Sequence, residues 1–399
     1  MDIKRIRKDF PILETGVIFL DSAATSLTPE QVVNAQNEYY HEFNANIARG
    51  VYEFSTIATE RYEEAHGTIA KFLGAKDNEI IITKNSTESI NQVAHSFPWG
   101  ARKKIVTTLI EHHSNYLPWL RVAQIYGLEV VTVKPNEEGI FNLKDFEDAI
   151  DSNTALVAVN HVSNVLGTIN TVEEIIEIAH RKGAKVIVDG AQAAPHIPVD
   201  LHKMDADFYV TSGHKMLGPT GTGVLYIKEE LFNYLRPAVL GGGTITDVDI
   251  GEYKLVDNFE RFEAGTPNIA GGLGLAAAAE YLMNLGMENV LEHEKQLMIR
   301  TIEGLKSAGV KVFGPSDYER RVGVVSFEIE GMGPHRVAFL LSEMYNIAVR
   351  SGHHCAYPLL KHVIHRPEGT CRASLYIYNT EEEVERFIGA IKEIRRSNG

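Results

Sequence analysis

Between about residues 80 and 230, short apolar runs alternate with amphipathic stretches. The runs are Glu79–Thr83, Lys104–Thr108, Leu128–Val133, Ala155–Val159, Val186–Val188 ending on Asp189, Ala206–Val210 and Gly223–Ile227. The segment Val172–Arg181 between two of them carries Ile175, Ile176 and Ala179 at helical spacing. Near-continuous apolar strands separated by helices predict an α/β fold with a mixed, mostly parallel seven-stranded sheet covered on both faces. After about residue 265 the pattern changes. Helices are expected over 271–285, 288–308, 334–345 and 380–396, with strands over 322–329 and 372–378; Thr380 and Glu383 form a capping box. This predicts a large domain over 15–270 and a smaller α+β domain built from 1–14 and 271–399.

Composition narrows the class. The chain has 399 residues, 44% hydrophobic and 23% charged, and a net charge of -14. That balance and the lack of a basic block argue against nucleic-acid binding. No apolar run reaches the roughly 18 residues of a membrane span. The first residues, Met1–Arg7, are charged and lack the apolar core of a signal peptide. Only Cys355 and Cys371 occur, too few for a disulfide framework, so a cytoplasmic setting with reduced thiols is expected.

Ligands of parallel sheets bind beyond the carboxyl ends of the strands. Thr211-Ser212-Gly213-His214-Lys215 lies just past one such end. A desolvated lysine there is a nucleophile for an aldehyde. Asp189 ends a neighbouring strand, with Gln192 three residues on. An aldehyde-binding lysine with an aspartate for a pyridinium nitrogen is the pairing that pyridoxal 5'-phosphate requires. Asp189 alone would read equally well as a helix cap; beside the Ser-Gly-His-Lys stretch the cofactor reading prevails. Gln192 is placed to donate to a ring oxygen, and Ser212 and His214 to hold a phosphate. Asn85-Ser86-Thr87-Glu88 opens a helix after a strand, which makes an anion site or a plain cap. Gly265-Thr266-Pro267 is a third phosphate candidate and weak by itself. In Glu111-His112-His113-Ser114-Asn115, an imidazole after a strand end suits stacking on a planar cofactor and acid–base work.

A second feature is Arg350-Ser351-Gly352-His353-His354-Cys355-Ala356, followed by Cys371-Arg372-Ala373-Ser374. A neighbouring imidazolium would favour the thiolate of Cys355. Cys371 precedes an apolar strand and reads as a buried, inert thiol. Arg372 suits bidentate carboxylate binding, whereas Arg350 reads as a loop support. A metal site among His353, His354, Cys355, His362 and His365 competes, but the second cysteine at short spacing that zinc sites use is lacking, so no metal is expected.

These motifs, with Asp21-Ser22-Ala23-Ala24-Thr25, His161-Val162-Ser163-Asn164-Val165-Leu166-Gly167 and Phe262-Glu263-Ala264-Gly265-Thr266-Pro267-Asn268, run nearly end to end. Together they resemble the SufS-type (NifS-like) cysteine desulfurases of the class V aminotransferase family. The resemblance implies the fold-type I architecture of pyridoxal-phosphate transferases and a homodimer with active sites at its interface. It implies conversion of L-cysteine to L-alanine, with sulfur held as a persulfide on Cys355 for iron–sulfur cluster or thio-cofactor assembly. By the same resemblance, Lys215 binds the cofactor covalently and moves protons, Asp189 pairs with the pyridinium, Gln192 meets the ring oxygen and His112 stacks. Thr87, Ser212 and His214 hold the phosphate, with Thr266 reaching across from the other subunit. Asn164 and Arg372 fix the substrate carboxylate. The short loop around Cys355 resembles the Suf-type subgroup, whose members often depend on a sulfur-acceptor protein.

Tyr52 stands where many Suf-type members carry histidine, Ala48 is also unusual, and the stretch 359–369 looks longer than usual. The rival activities within the fold are a selenocysteine lyase and a kynureninase- or epimerase-like enzyme, for which Cys355 is dispensable. A rival of another kind is a catalytically silent sulfur-relay or scaffold protein; Lys215 together with Asp189 speaks against it.

Overall fold

The computed structural model describes residues 1–398. Its central sheet has seven strands in the order Ile80–Thr83, Gly223–Ile227, Phe208–Ser212, Lys185–Asp189, Thr154–Asn160, Lys104–Thr108 and Glu129–Val133. Only Gly223–Ile227 runs against the others. Successive strand residues alternate between two hydrophobic clusters, one on each face. Val186 and Val188 pack with the helices Glu53–Leu73, Val172–Arg181 and Ile269–Leu285, while Ile187, Phe208 and Val210 pack with Ser86–Ser96 and Leu117–Tyr126. Burial on both faces explains why these strands read as unbroken apolar runs.

The smaller unit is an antiparallel sheet in the order Lys311–Phe313, Val324–Glu328, Thr370–Ser374 and Arg350–Gly352. Met287–Ser307 and Glu381–Asn398 back it through Leu297, Ile302, Phe387 and Ile391. The capping box holds: Glu383 N–H donates to Thr380 Oγ1 and Thr380 N–H to the Glu383 carboxylate, both at 3.2 Å. The strand foreseen over 372–378 ends earlier, at Ser374, where Leu375 N–H turns to Gly323 O and Tyr376 and Tyr378 enter the core.

Two segments cross between the units. Ile18–Phe19 pairs in parallel with Ile347–Ala348, and Ile18 and Leu20 lie in the smaller unit's core. Conversely, Ile269–Leu285 is apolar nearly all round and is buried in the larger unit's core with side chains of Glu30–Glu42 and Glu53–Leu73. The hairpin Ile245–Asp249 and Glu252–Leu255 projects into solvent.

Candidate active site

The strand ends converge on a cavity of about 240 Å³ whose wall includes His112, Asn164, Asp189, Lys215, Arg350 and Arg372. Register brings this about: Asn160 lies beside Asp189, and Asp189 beside Val210, so three neighbouring strands finish at one level. Lys215 follows in the tight turn Gly213–Lys215. Burial lowers its amine to about 8; Asp189 opposes that shift, and the cationic Arg372 and Arg350 add to it. Burial raises the Asp189 carboxyl, against the pull of Lys215 and of the Ala191 N–H that donates to Oδ1 at 3.0 Å. Gly190 is required here because a Cβ would lie 1.9 Å from the Tyr209 ring.

Burial, then Lys215, holds His112 at about 3, so the ring is neutral. Its Nδ1 accepts from Ser114 N–H at 3.1 Å, which leaves the ring proton on Nε2. Behind it, the buried Glu111 accepts from Thr108 Oγ1, Asn115 Nδ2 and the Asn160 amide groups.

An anion cradle closes one end. Asn85 caps the helix Ser86–Ser96 by accepting from Glu88 N–H at 3.0 Å. Ser86 N–H donates to Ser212 Oγ at 3.0 Å, the two hydroxyls meet at 2.8 Å, and Thr87 Oγ1 lies 2.6 Å from Ser114 Oγ. Gly223 lets the neighbouring strand approach, since a Cβ there would lie 2.6 Å from Asn85 Cα. His214 also lines the cavity, its imidazole held at about 4 by burial and then Lys215. Hydroxyls at a helix N-terminus, with a buried carboxylate and a low-pKa amine in the same cavity, fit a phosphorylated pyridine aldehyde.

At the opposite side, Arg372 is buried. Its Nη1 donates to Asn164 O at 2.9 Å and its Nη2 to Asp21 Oδ1 at 3.1 Å, while Nε has no partner among the described residues. Burial lowers it to about 10, against the attraction of Asp21. A guanidinium so held, with a spare donor, suits a substrate carboxylate. Asn164 Nδ2 donates to His354 O at 2.7 Å, which ties it to the cysteine loop as well. Arg350 lines the cavity and donates from Nη2 to Cys355 Sγ at 3.7 Å, more than the loop support expected of it. His354 and Cys355 are consecutive left-handed residues, at φ +52° and +56°. That backbone costs about 1–2 kcal/mol per residue and persists because contacts hold it. Burial pushes the Cys371 thiol up to about 12, and it donates to Pro334 O at 3.0 Å, so it is inert.

Besides Cys355, which reaches the cavity wall through Arg350, two residues stand apart from it. Gln192 donates from Nε2 to Ala23 O at 2.6 Å, and its buried Oε1 lacks a partner among the described residues. Thr266 is exposed beside a separate cleft of about 800 Å³, which Ala48, His66 and Glu263 also line. Ser86, Ser114 and Asp21 all stand in motifs quoted above, Ser86 within the Asn85–Glu88 anion-site candidate, yet none carries a role of its own there, and Asp21 lies far from Arg372 along the chain.

Residues 18–387 match the aminotransferase class-V family model. A protein of Pyrococcus abyssi named "Probable cysteine desulfurase" is 46% identical over 98% of this chain and 97% of its own length. The apo structure of cysteine desulfurase from Thermococcus onnurineus NA1 superposes with a TM-score of 0.95 at 47% identity, covering 99% of this chain and 98% of that one. The Escherichia coli cysteine desulfurase CsdA, in an S-sulfonic acid form, gives 0.92 at 34% identity over 100% and 99%. The sheet order, the Lys215–Asp189 cavity and these likenesses agree, and the chain belongs to the class-V aminotransferase family, among its cysteine desulfurases.

Proposed function

We propose that this chain takes sulfur from L-cysteine onto Cys355 as a persulfide and releases L-alanine, using pyridoxal 5'-phosphate. The observation that carries the reading is Arg350, which lines the Lys215 cavity and touches the Cys355 sulfur. When bound, the cofactor supplies an electron sink for the substrate α-carbon. Lys215 would hold it covalently, Asp189 would face its ring nitrogen, and His112 would cover the ring. Ser212, His214 and Thr87 would hold the phosphate, with Ser86 N–H beside them. Gln192 would reach the ring oxygen by turning its amide from Ala23.

Arg372, with Asn164, orients the substrate carboxylate. Lys215 Nζ, free as an amine near 8 once the substrate amine has displaced it, would take the proton from the substrate α-carbon and deliver protons to the carbon skeleton. Cys355 Sγ attacks the substrate sulfur. An S–S bond forms as the C–S bond breaks, its electron pair passes to carbon, and protonation yields alanine. Neutral His112 and His214 leave the negative charge of the incoming groups to the arginines and the helix N-terminus.

The wider reading is a cytoplasmic homodimer that delivers sulfur to an acceptor protein for iron–sulfur or thio-cofactor assembly. Exposed Val248, Ile250 and Tyr253 on the hairpin, with Val51, supply apolar surface for a second subunit. No helix among the described residues is long and apolar enough to cross a membrane. The test is Cys355→Ala. This variant should keep the cofactor's absorbance yet form no alanine from L-cysteine; full activity would overturn the reading.

A further inference from the structure

The loop carrying Cys355 belongs to the smaller unit, yet the larger unit grips it at the cysteine and again two residues later. His113 N–H donates to Cys355 O at 2.7 Å. Two residues on, Tyr357 N–H donates to His113 Nε2 at 3.0 Å. Tyr357 opens the short helix Tyr357–His362, whose preceding residue, Ala356, has no side chain that can cap it. The imidazole takes over the capping role from another part of the fold. His113 follows directly on His112, which lines the Lys215 cavity. The left-handed pair His354–Cys355 leads into these two holds, the first of which is on the carbonyl of Cys355 itself.

We propose that His113 is a positioning residue for the Cys355 thiol: it clamps the backbone at 355 and 357 and so fixes the sulfur relative to the cavity. The inference rests on Cys355 being the sulfur-accepting group. The clamp needs Nε2 as an acceptor, so the ring is neutral with its proton on Nδ1. Burial, then the neighbouring His353, shifts His113 in that direction. Within the loop, the His353 ring lies against Tyr357, with centroids 4.5 Å apart.

The experiment compares His113→Ala, His113→Gln and His113→Asn in the full-length, cofactor-loaded protein. Two readouts are taken: alanine formation from L-cysteine, and the iodoacetamide alkylation rate of Cys355 by peptide mapping. His113→Ala should lower kcat about tenfold with KM changed less than about twofold, because a displaced nucleophile costs rate more than binding. Its Cys355 should alkylate about fivefold faster as the loop opens. Gln places Oε1 where Nε2 stood and should restore both readouts; Asn reaches only the Nδ1 position and should not. Wild-type alkylation in His113→Ala, or a His113→Gln variant as impaired as His113→Ala, would overturn the clamp. Failure of the desulfurase reading looks different: Cys355→Ala would stay fully active while the alkylation differences persisted.

Discussion

Arg350 Nη2 donates to Cys355 Sγ across 3.7 Å, so a strand-end cation that lines the Lys215 cavity meets a loop thiol five residues on. A guanidinium at that distance donates to the sulfur and holds its orientation for attack. Arg350→Ala should therefore slow iodoacetamide labelling of Cys355 at neutral pH by about tenfold, with Arg350→Lys recovering part of it. Equal labelling rates in all three proteins would show that the contact has no influence on the thiol.

Lys215 makes a prediction about pH. With the amine lowered to about 8, it is an ammonium below that pH and a free nucleophile above it. Capture of pyridoxal 5'-phosphate by cofactor-free protein should accelerate as pH rises, half-maximally near 8 rather than at the roughly 10.4 of an ordinary lysine. Stopped-flow absorbance follows the reaction, and borohydride reduction with peptide mapping locates the label. A label at any other lysine would remove Lys215 from its role.

Gly190 sits between Asp189 and the Tyr209 ring with no room for a side chain. Gly190→Ala would put a methyl group 1.9 Å from a ring atom that is fully enclosed in the core. The ring or the Asp189 turn must move, at a cost of about 3 kcal/mol or more. Thermal melts should show a clearly lowered midpoint, and cofactor retention should weaken with it. A variant that melts with the parent would mean that the turn is looser than its geometry indicates.

The central sheet was legible because its strands are buried on both faces and therefore stand out as apolar runs. Lys215 and Asp189 were legible because their chemistry falls at the ends of such runs. Arg372 could be picked as a carboxylate ligand, but its partner Asp21 lies 351 residues away, and only folding joins them. The role of Arg350 depends on the left-handed turn at His354 and Cys355, which residue type alone disfavours. The hairpin Ile245–Leu255 is not legible because its residues mostly face water and its strands are only five and four residues long. Thr266, whose expected place is the other subunit's site, borders a separate cleft of its own chain.

The pairing of Ile18–Phe19 with Ile347–Ala348 has a bearing on biosynthesis. The first strand to leave the ribosome waits for one of the last, so the compact body that bears the thiol closes only when translation is nearly finished. The same late segment carries Arg350 and Arg372, so the cavity wall is completed together with the arrival of the reactive sulfur.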